Sequence, residues 1–427
     1  MKKVGVAILG LGVVGGGTYE ILTKNRENYK KYYKVDVSVE NVLELRKERA
    51  LALGVEESKI ASNIQEICSN PDVDIVIEVM GGVEPAKTFV LTALNAGKSV
   101  VTSNKELYCK HSHELEAVAK KNHCGLFYEA TCVGGVPVIR AMLDNLQGNN
   151  FSAFTGIVNG TTNYILTKMS ETGATYQDCL KEAQALGYAE ANPTSDVEGF
   201  DSTYKLSILS SLAFHTKIPY TKIHREGITT LSIEDINIGK KLGFTIKLLA
   251  IGRKSDAGIE VRVHPTFIKN SHPLASVSDS FNAVYLTGDS IDDVMLYGRG
   301  AGALPTGSAI VGDVLYCATH TNYRYSPFDN TQDASPSTKF IENFESEYFI
   351  RINVVDKNGV LSKVSSVLSR HNVGVAQLVQ EKGEKDCVPI VIITHTAKEN
   401  NVKKALADLA SVPEIAKDYS VIRLISK

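Results

Sequence analysis

The first 135 residues alternate short apolar runs with amphipathic ones. Val4-Gly-Val-Ala-Ile-Leu9, Asp74-Ile-Val-Ile-Glu-Val-Met80 and Lys98-Ser-Val-Val-Thr102 are nearly continuous in apolar residues. A strand with one solvated face would alternate. Continuous runs therefore predict strands buried on both faces, as in a parallel sheet. Another strand is expected at 39–44 and one near 126, with helices at 18–22, from 85 onward and at 106–120. Strand and helix alternating in this way predict an α/β domain over residues 1–135.

Beyond Pro137 the pattern is mixed. Helices are predicted at 139–146, 164–169 and 176–186, an apolar helical run at 206–214, and strands at 151–158, 258–263 and 282–286. This reads as an α+β domain, 136–305. The glycine-rich Gly298-Arg-Gly-Ala-Gly302 and the helical run to Cys317 are expected to return to the first domain through 306–330, Gly302 beside the ligand, with a plain loop as the alternative. The chain then turns polar, and 331–346 reads as a linker. From 347 to 427 come a strand at 348–355, a helix at 360–370, strands at 373–380 and 387–394, a helix at 399–410 and a strand at 420–425. That β-α-β-β-α-β order is ferredoxin-like.

The strand at 4–9 runs straight into Gly10-Leu-Gly12-Val-Val-Gly15 and a helix. In that context the motif points to a Rossmann-type dinucleotide site at Gly10, Leu11, Gly12, Val13, Val14 and Gly15, rather than a structural glycine turn. Gly10 permits the tight turn, Gly12 makes room for the pyrophosphate, and Gly15 lets helix and strand pack closely. The helix N-terminus favours the anion. Glu44, at the end of the next strand, suits a free ribose diol, whereas Arg46 and Lys47 suit a 2′-phosphate. NAD and NADP both stay open, and Arg46, Lys47 and Arg49 read equally well as solvated charges at a helix start.

Lys105 follows a strand at the edge where open α/β sheets bind ligands. As an ordinary helix-start lysine it would be slightly disfavoured by the dipole. Glu129-Ala-Thr-Cys132-Val-Gly134-Gly-Val136-Pro137 is a glycine-rich exit from a strand, able to coordinate a hard cation or simply to turn the chain. Further on, Glu190, Asp196, Glu198, Asp201 and Lys205 crowd into one short stretch. Asp201 and Lys205, four apart, share a helix face, and alone would be an ordinary surface pair worth little. With the glycine fingerprint and Lys105 they read as one active site. A lysine ammonium there can meet charge developing on a carbonyl oxygen and deliver a proton.

Composition narrows the partners. The 427 residues exceed one comfortable core, so two or three domains are expected. A formal net charge of −2 with 22% charged residues leaves no basic excess for nucleic acid. Seven cysteines without a Cys-x-x-Cys pair exclude a disulfide scaffold and a zinc ribbon. No run approaches the roughly 18 apolar residues of a membrane span, and no secretory signal opens the chain, so no membrane and a cytoplasmic location are expected.

In their order and spacing, Gly10–Gly15, Thr102-Ser-Asn-Lys105, Glu129–Pro137, Asn159-Gly-Thr-Thr-Asn163, Gly187 through Lys205 and Gly298–Gly302 resemble the homoserine dehydrogenase family along the whole chain. The last module looks like an ACT domain, and with no kinase domain ahead of the fingerprint the monofunctional form is expected. The resemblance implies interconversion of L-homoserine and L-aspartate 4-semialdehyde with NAD or NADP, on the path to threonine, methionine and isoleucine. It implies Lys205 as proton donor with Asp201 beside it, Lys105 between nicotinamide and substrate, and Glu190 and Asp196 fixing the substrate. A sodium-type monovalent cation would be held by Glu129, Cys132, Gly134 and Val136, largely through backbone oxygens. It further implies an amino-acid effector such as threonine at the ACT-like module, and a homodimer through the middle domain or a homotetramer. Asn192 departs from the usual aspartate, and Asn358 from a turn position often filled by proline. Two other classes compete. A semialdehyde dehydrogenase would need a nucleophilic cysteine, and a dinucleotide sensor would need no proton donor.

Overall fold

The computed structural model describes residues 1–380 and 387–425. The apolar runs of the first domain form a parallel five-stranded sheet in the order Val35–Leu43, Lys2–Leu9, Ile75–Glu78, Ser99–Thr102, Leu126–Phe127. Their alternate residues feed two different cores, which is why the runs do not alternate in polarity. Ala7, Leu9, Val76 and Val100 pack on one side; Val6, Ile8, Ile75, Ile77 and Val101 pack on the other. The strand order reverses between Lys2–Leu9 and Ile75–Glu78, which opens a crevice at their carboxyl ends. The second core is completed from far along the chain, by Ile310, Val311 and Val314 of the helix Ala303–Thr319. That helix lies on Val13–Lys24 so closely that a Cβ on Gly17 would fall 2.3 Å from the Ala303 carbonyl oxygen.

The middle of the chain builds an antiparallel sheet in the order Asp292–Arg299, Phe281–Gly288, Phe151–Ile157, Phe244–Ser255, Gly258–Lys269. The pattern did not predict two of these strands. In Phe244–Ser255, residues Ile246–Gly252 are buried without alternation and follow directly on the helix Ile233–Lys241, so periodicity cannot separate strand from helix. Asp292–Arg299 is an exposed edge strand opening with two aspartates. The run expected at 258–263 extends to Lys269.

The C-terminal module is not a bead on a string. Arg423–Ile425 pair in parallel with Thr266–Ile268, so the module's strands Ile415–Ile425, Glu345–Val355, Cys387–Thr394 and Val375–Gln380 continue the middle sheet. Arg351 also reaches into the middle domain, donating from Nε to Asp235 Oδ1 at 2.6 Å. The polar stretch before the module is bonded to the body as well. The Ile259 amide donates to the Lys339 carbonyl and the Ile341 amide to the Ile259 carbonyl, each at 2.8 Å. In the turn containing Asn358, Gly359 takes the left-handed position at φ +88° just ahead of the helix Val360–Arg370. Among the described residues no helix is long and apolar enough to cross a membrane.

Candidate active site

Gly10 leaves its strand at φ +92°, a backbone that side chains disfavour, and the helix Val13–Lys24 opens after Gly12. A Cβ on Gly15 would lie 2.0 Å from the Gly10 carbonyl oxygen, whereas one on Gly12 would meet nothing within 4 Å. Gly15 is therefore needed for packing, and Gly12 faces open space at the helix N-terminus. Leu11 is buried, Val13 is exposed and Val14 lines the cleft described below.

Beside the fingerprint lies a cavity of about 490 Å³, bounded by Glu44, Arg46, Arg49 and Phe89 among others. Glu44 does not present a free carboxylate. Its Oε2 accepts the Leu11 amide at 2.7 Å and its Oε1 the Arg46 amide at 3.0 Å. Lys47 is exposed and outside the lining, while Arg49 belongs to it. A second cleft, about 460 Å³, shares Val79 and Met80 with the first and carries Lys105, Glu190, Lys205 and Gly302 on its wall. The two cavities follow the carboxyl edge of the parallel sheet. An open glycine at a helix N-terminus with two arginines further along fits an extended dinucleotide.

Lys105 begins the helix Lys105–Lys121, just past the strand Ser99–Thr102; Asn104 caps that helix by accepting the Leu107 amide. Asp201 and Lys205 lie in the first turns of the largely buried helix Phe200–Phe214. Asp201, 2% exposed, joins the lysines: its Oδ1 is 2.9 Å from Lys105 Nζ and its Oδ2 2.7 Å from Lys205 Nζ. Lys205 also donates to the Val158 carbonyl at 2.7 Å. Burial alone would raise the Asp201 carboxyl; the Lys105 and then the Lys205 ammonium outweigh it and hold the group well below the usual carboxylate range. Asp201 in turn holds Lys105 above an ordinary lysine, against the effect of burial. Asn159, which the sequence reading did not single out as a site residue, bridges Asp196 Oδ1 at 2.7 Å and Asp201 Oδ2 at 2.8 Å through its amide nitrogen. Burial and the neighbouring Asp201 push Asp196 up. Glu190 is exposed on the cleft wall. Asn192 serves its own turn, accepting from Thr194 Oγ1 at 2.7 Å.

The turn 129–136 packs directly under this cluster. Val133, fully buried and β-branched, is held at φ +46° and Gly134 follows at φ +52°. Such strain persists only where surroundings enforce it, and here a Cβ on Gly134 would sit 2.4 Å from the Gly300 carbonyl oxygen. Glu129 has spent its carboxylate on the Ile139 and Arg140 amides, which leaves main-chain oxygens as the donors of this turn. Asp313, reached from the helix Ala303–Thr319, accepts the Glu129 amide at 2.9 Å and pairs with Arg140 at 2.5 Å. Sequence spacing offered no signal for that clamp. Cys132 is buried, and burial pushes its thiol up to about 12, so it is no thiolate nucleophile. Among the described residues one group of His and carboxylates is spaced to hold an ion, namely His224, Glu226 and Glu399. The cation there is Arg423, bonded to both glutamates.

The chain is similar to known proteins along its length. A model of the homoserine dehydrogenase NAD-binding domain matches residues 10–129, one of homoserine dehydrogenase matches 137–315, and one of the ACT domain matches 348–414. Homoserine dehydrogenase of Bacillus subtilis (strain 168) is 37% identical over 429 residues, covering 99% of each chain. The crystal structure of a homoserine dehydrogenase from Thiobacillus denitrificans superposes with a TM-score of 0.93 at 36% identity, over 100% of this chain and 99% of its own. A hyperthermophilic archaeal homoserine dehydrogenase in complex with NADPH superposes at a TM-score of 0.63 and 28% identity, over 74% of this chain and 97% of its own.

Proposed function

The chain belongs to the homoserine dehydrogenase family, and from that premise we propose how its cleft divides the work. The reaction is the reversible interconversion of L-homoserine and L-aspartate 4-semialdehyde with NAD(P)(H), a step of amino-acid biosynthesis. When bound, the nicotinamide exchanges a hydride with the substrate carbon. Everything else falls to the side chains.

As the aldehyde is reduced, its oxygen gains negative charge and needs a proton. Lys205 donates it. Two of its N–H groups are tied to Asp201 and the Val158 carbonyl, which fixes the ammonium and leaves one donor for the substrate oxygen. Asp201 orients both lysines and holds Lys105 charged. Lys105, further out with its side chain 40% exposed, lies between substrate and nicotinamide. Glu190 takes the substrate ammonium; Asp196, raised by burial and by Asp201, holds Asn159 in place. The observation that carries this reading is one buried carboxylate shared by two lysines on one cleft.

The cofactor is NADP(H) in preference to NAD(H). Support comes from Glu44, whose oxygens are engaged by main-chain amides, and from Arg46 and Arg49 beside the cavity. A sodium-type cation would be held by main-chain oxygens of Glu129, Cys132, Gly134 and Val136, and would order the turn beneath the lysines. An amino acid such as threonine is the effector of the ACT domain. The subunits pair into a homodimer across the middle sheet, whose edge strand exposes Met295 and Tyr297, and a homotetramer can form through the ACT edge that exposes Val375 and Leu378.

The test is absorbance at 340 nm with aspartate semialdehyde, run in parallel with NADPH and NADH. Lys205→Ala should lower kcat by about 10²–10⁴-fold while NADPH affinity stays unchanged. A second reading makes Lys105 the donor, favoured by its exposure and its single acceptor, Asp201. Full turnover in Lys205→Ala with loss in Lys105→Ala would establish that reading instead.

A further inference from the structure

Away from the cleft, a cavity of about 320 Å³ lies between the helices Gly160–Thr172 and Ile233–Lys241, the strand Phe244–Ser255 and the turn 270–278. That volume suits a small metabolite. Its wall mixes apolar Phe244 and Ile246 with Ser170, Asn270, Glu171 and Lys240, whose Nζ donates to the Ser170 carbonyl at 3.1 Å. It also includes Lys247, only 2% exposed. Lys247 Nζ donates to the Val277 carbonyl at 2.5 Å and to Asn163 Oδ1 at 3.2 Å. Both acceptors are neutral. Among the described residues the third N–H finds no acceptor and no carboxylate forms an ion pair with it; Glu171, exposed at the cavity wall, acts on it only at a distance.

An ammonium taken out of water without a counter-ion is costly, and the molecule relieves the cost by deprotonation or by binding an anion. Burial lowers this lysine to about 8, close enough to neutrality for an anion to hold it charged. Deep cation and outer carboxylate on one small cavity are the complement of a zwitterion.

We propose that this cavity binds a small α-amino acid, its carboxylate on Lys247 and its ammonium on Glu171. The site is independent of the catalytic assignment, and no residue of the cleft takes part in it. Calorimetry on the full-length protein would use L-alanine and propionate, the same carboxylate without the ammonium. L-Alanine should saturate one site per chain. Lys247→Met should weaken both ligands by about tenfold or more, while Glu171→Gln, at an exposed position, should weaken L-alanine and spare propionate. No binding in the wild type up to about 10 mM would overturn the proposal. So would L-alanine binding unaffected by either substitution, or binding abolished by Glu190→Gln, which would assign the heat to the catalytic cleft. Should Lys247→Met fail to fold, equal loss or equal retention of the two ligands in Glu171→Gln would still refute it.

Discussion

Asp201 in the cleft and Glu399 at the seam between the middle sheet and the ACT domain are both buried carboxylates bonded to cations. Asp201 binds two lysines that also line an open cleft, one of them 40% exposed. Arg423 donates from Nε and Nη2 to the two oxygens of Glu399 and from Nη1 and Nη2 to the two oxygens of Glu226, while the Tyr348 hydroxyl donates to Glu399 at 2.8 Å. The seam is closed: Arg423 is 4% exposed and its fork is spent on two carboxylates. The cleft keeps cationic N–H groups in reserve. A fork geometry suits permanent cross-linking, and a point-charge ammonium suits proton delivery, which explains arginine in one place and lysine in the other. The seam reaches the chemistry through the segment that follows Glu198. Arg225, next to Glu226, donates to the Glu198 carbonyl, and the Ile228 amide donates to Val197 at 2.8 Å, just ahead of the helix that carries Asp201.

This contrast can be broken in three ways. The largest effect is expected from Arg423→Met, which removes the cation that Glu226 and Glu399 share and should cost about 3–5 kcal/mol in urea unfolding, with turnover at saturating substrate unchanged. Replacing Glu226 and Glu399 by leucine in the same variant should return most of that loss. If Arg423→Met left stability unchanged, the seam would not be the clamp described.

Next comes Asp201→Asn. It removes the charge that holds the lysine pair and should lower kcat roughly 10²-fold. Its unfolding free energy should fall by less than that of Arg423→Met, because the cleft lets water reach the freed ammoniums. A loss of stability as large as that of the seam variant would remove the distinction between the two clusters.

The smallest effect concerns acid. His224 and Arg423 outweigh burial and hold Glu226 well below its ordinary value, and Arg423 lowers Glu399. Carboxylates lowered in the folded state contribute fully above the unfolded pKa, near 4.3, and lose that contribution as pH falls through the folded value. Glu226 is 40% exposed, so after discounting for screening the seam should lose only about 1–2 kcal/mol between pH 5 and pH 3. Urea midpoints across that range should slope less in Arg423→Met than in the wild type. Parallel slopes would show that the acid sensitivity lies elsewhere.

Much of this was legible in the chain because it is written locally. Continuous apolar runs meant strands buried on both faces, Gly10–Gly15 meant a tight turn opening a helix, and the spacing of Asp201 and Lys205 put both on one helical face. Steric and periodic rules act over a few residues, so the residues themselves determined those features. Contacts between distant segments were another matter. Only the folded chain brings Lys105 to Asp201, Asn159 to Asp196, Asp313 to the Glu129 turn and Arg423 to Glu226, because each pairing depends on how separate elements stack. The fold also decided that Glu44 spends its carboxylate on the glycine loop and that the C-terminal strand joins the middle sheet. Hydrogen bonds and ion pairs act over a few ångströms of space, whatever the separation along the chain.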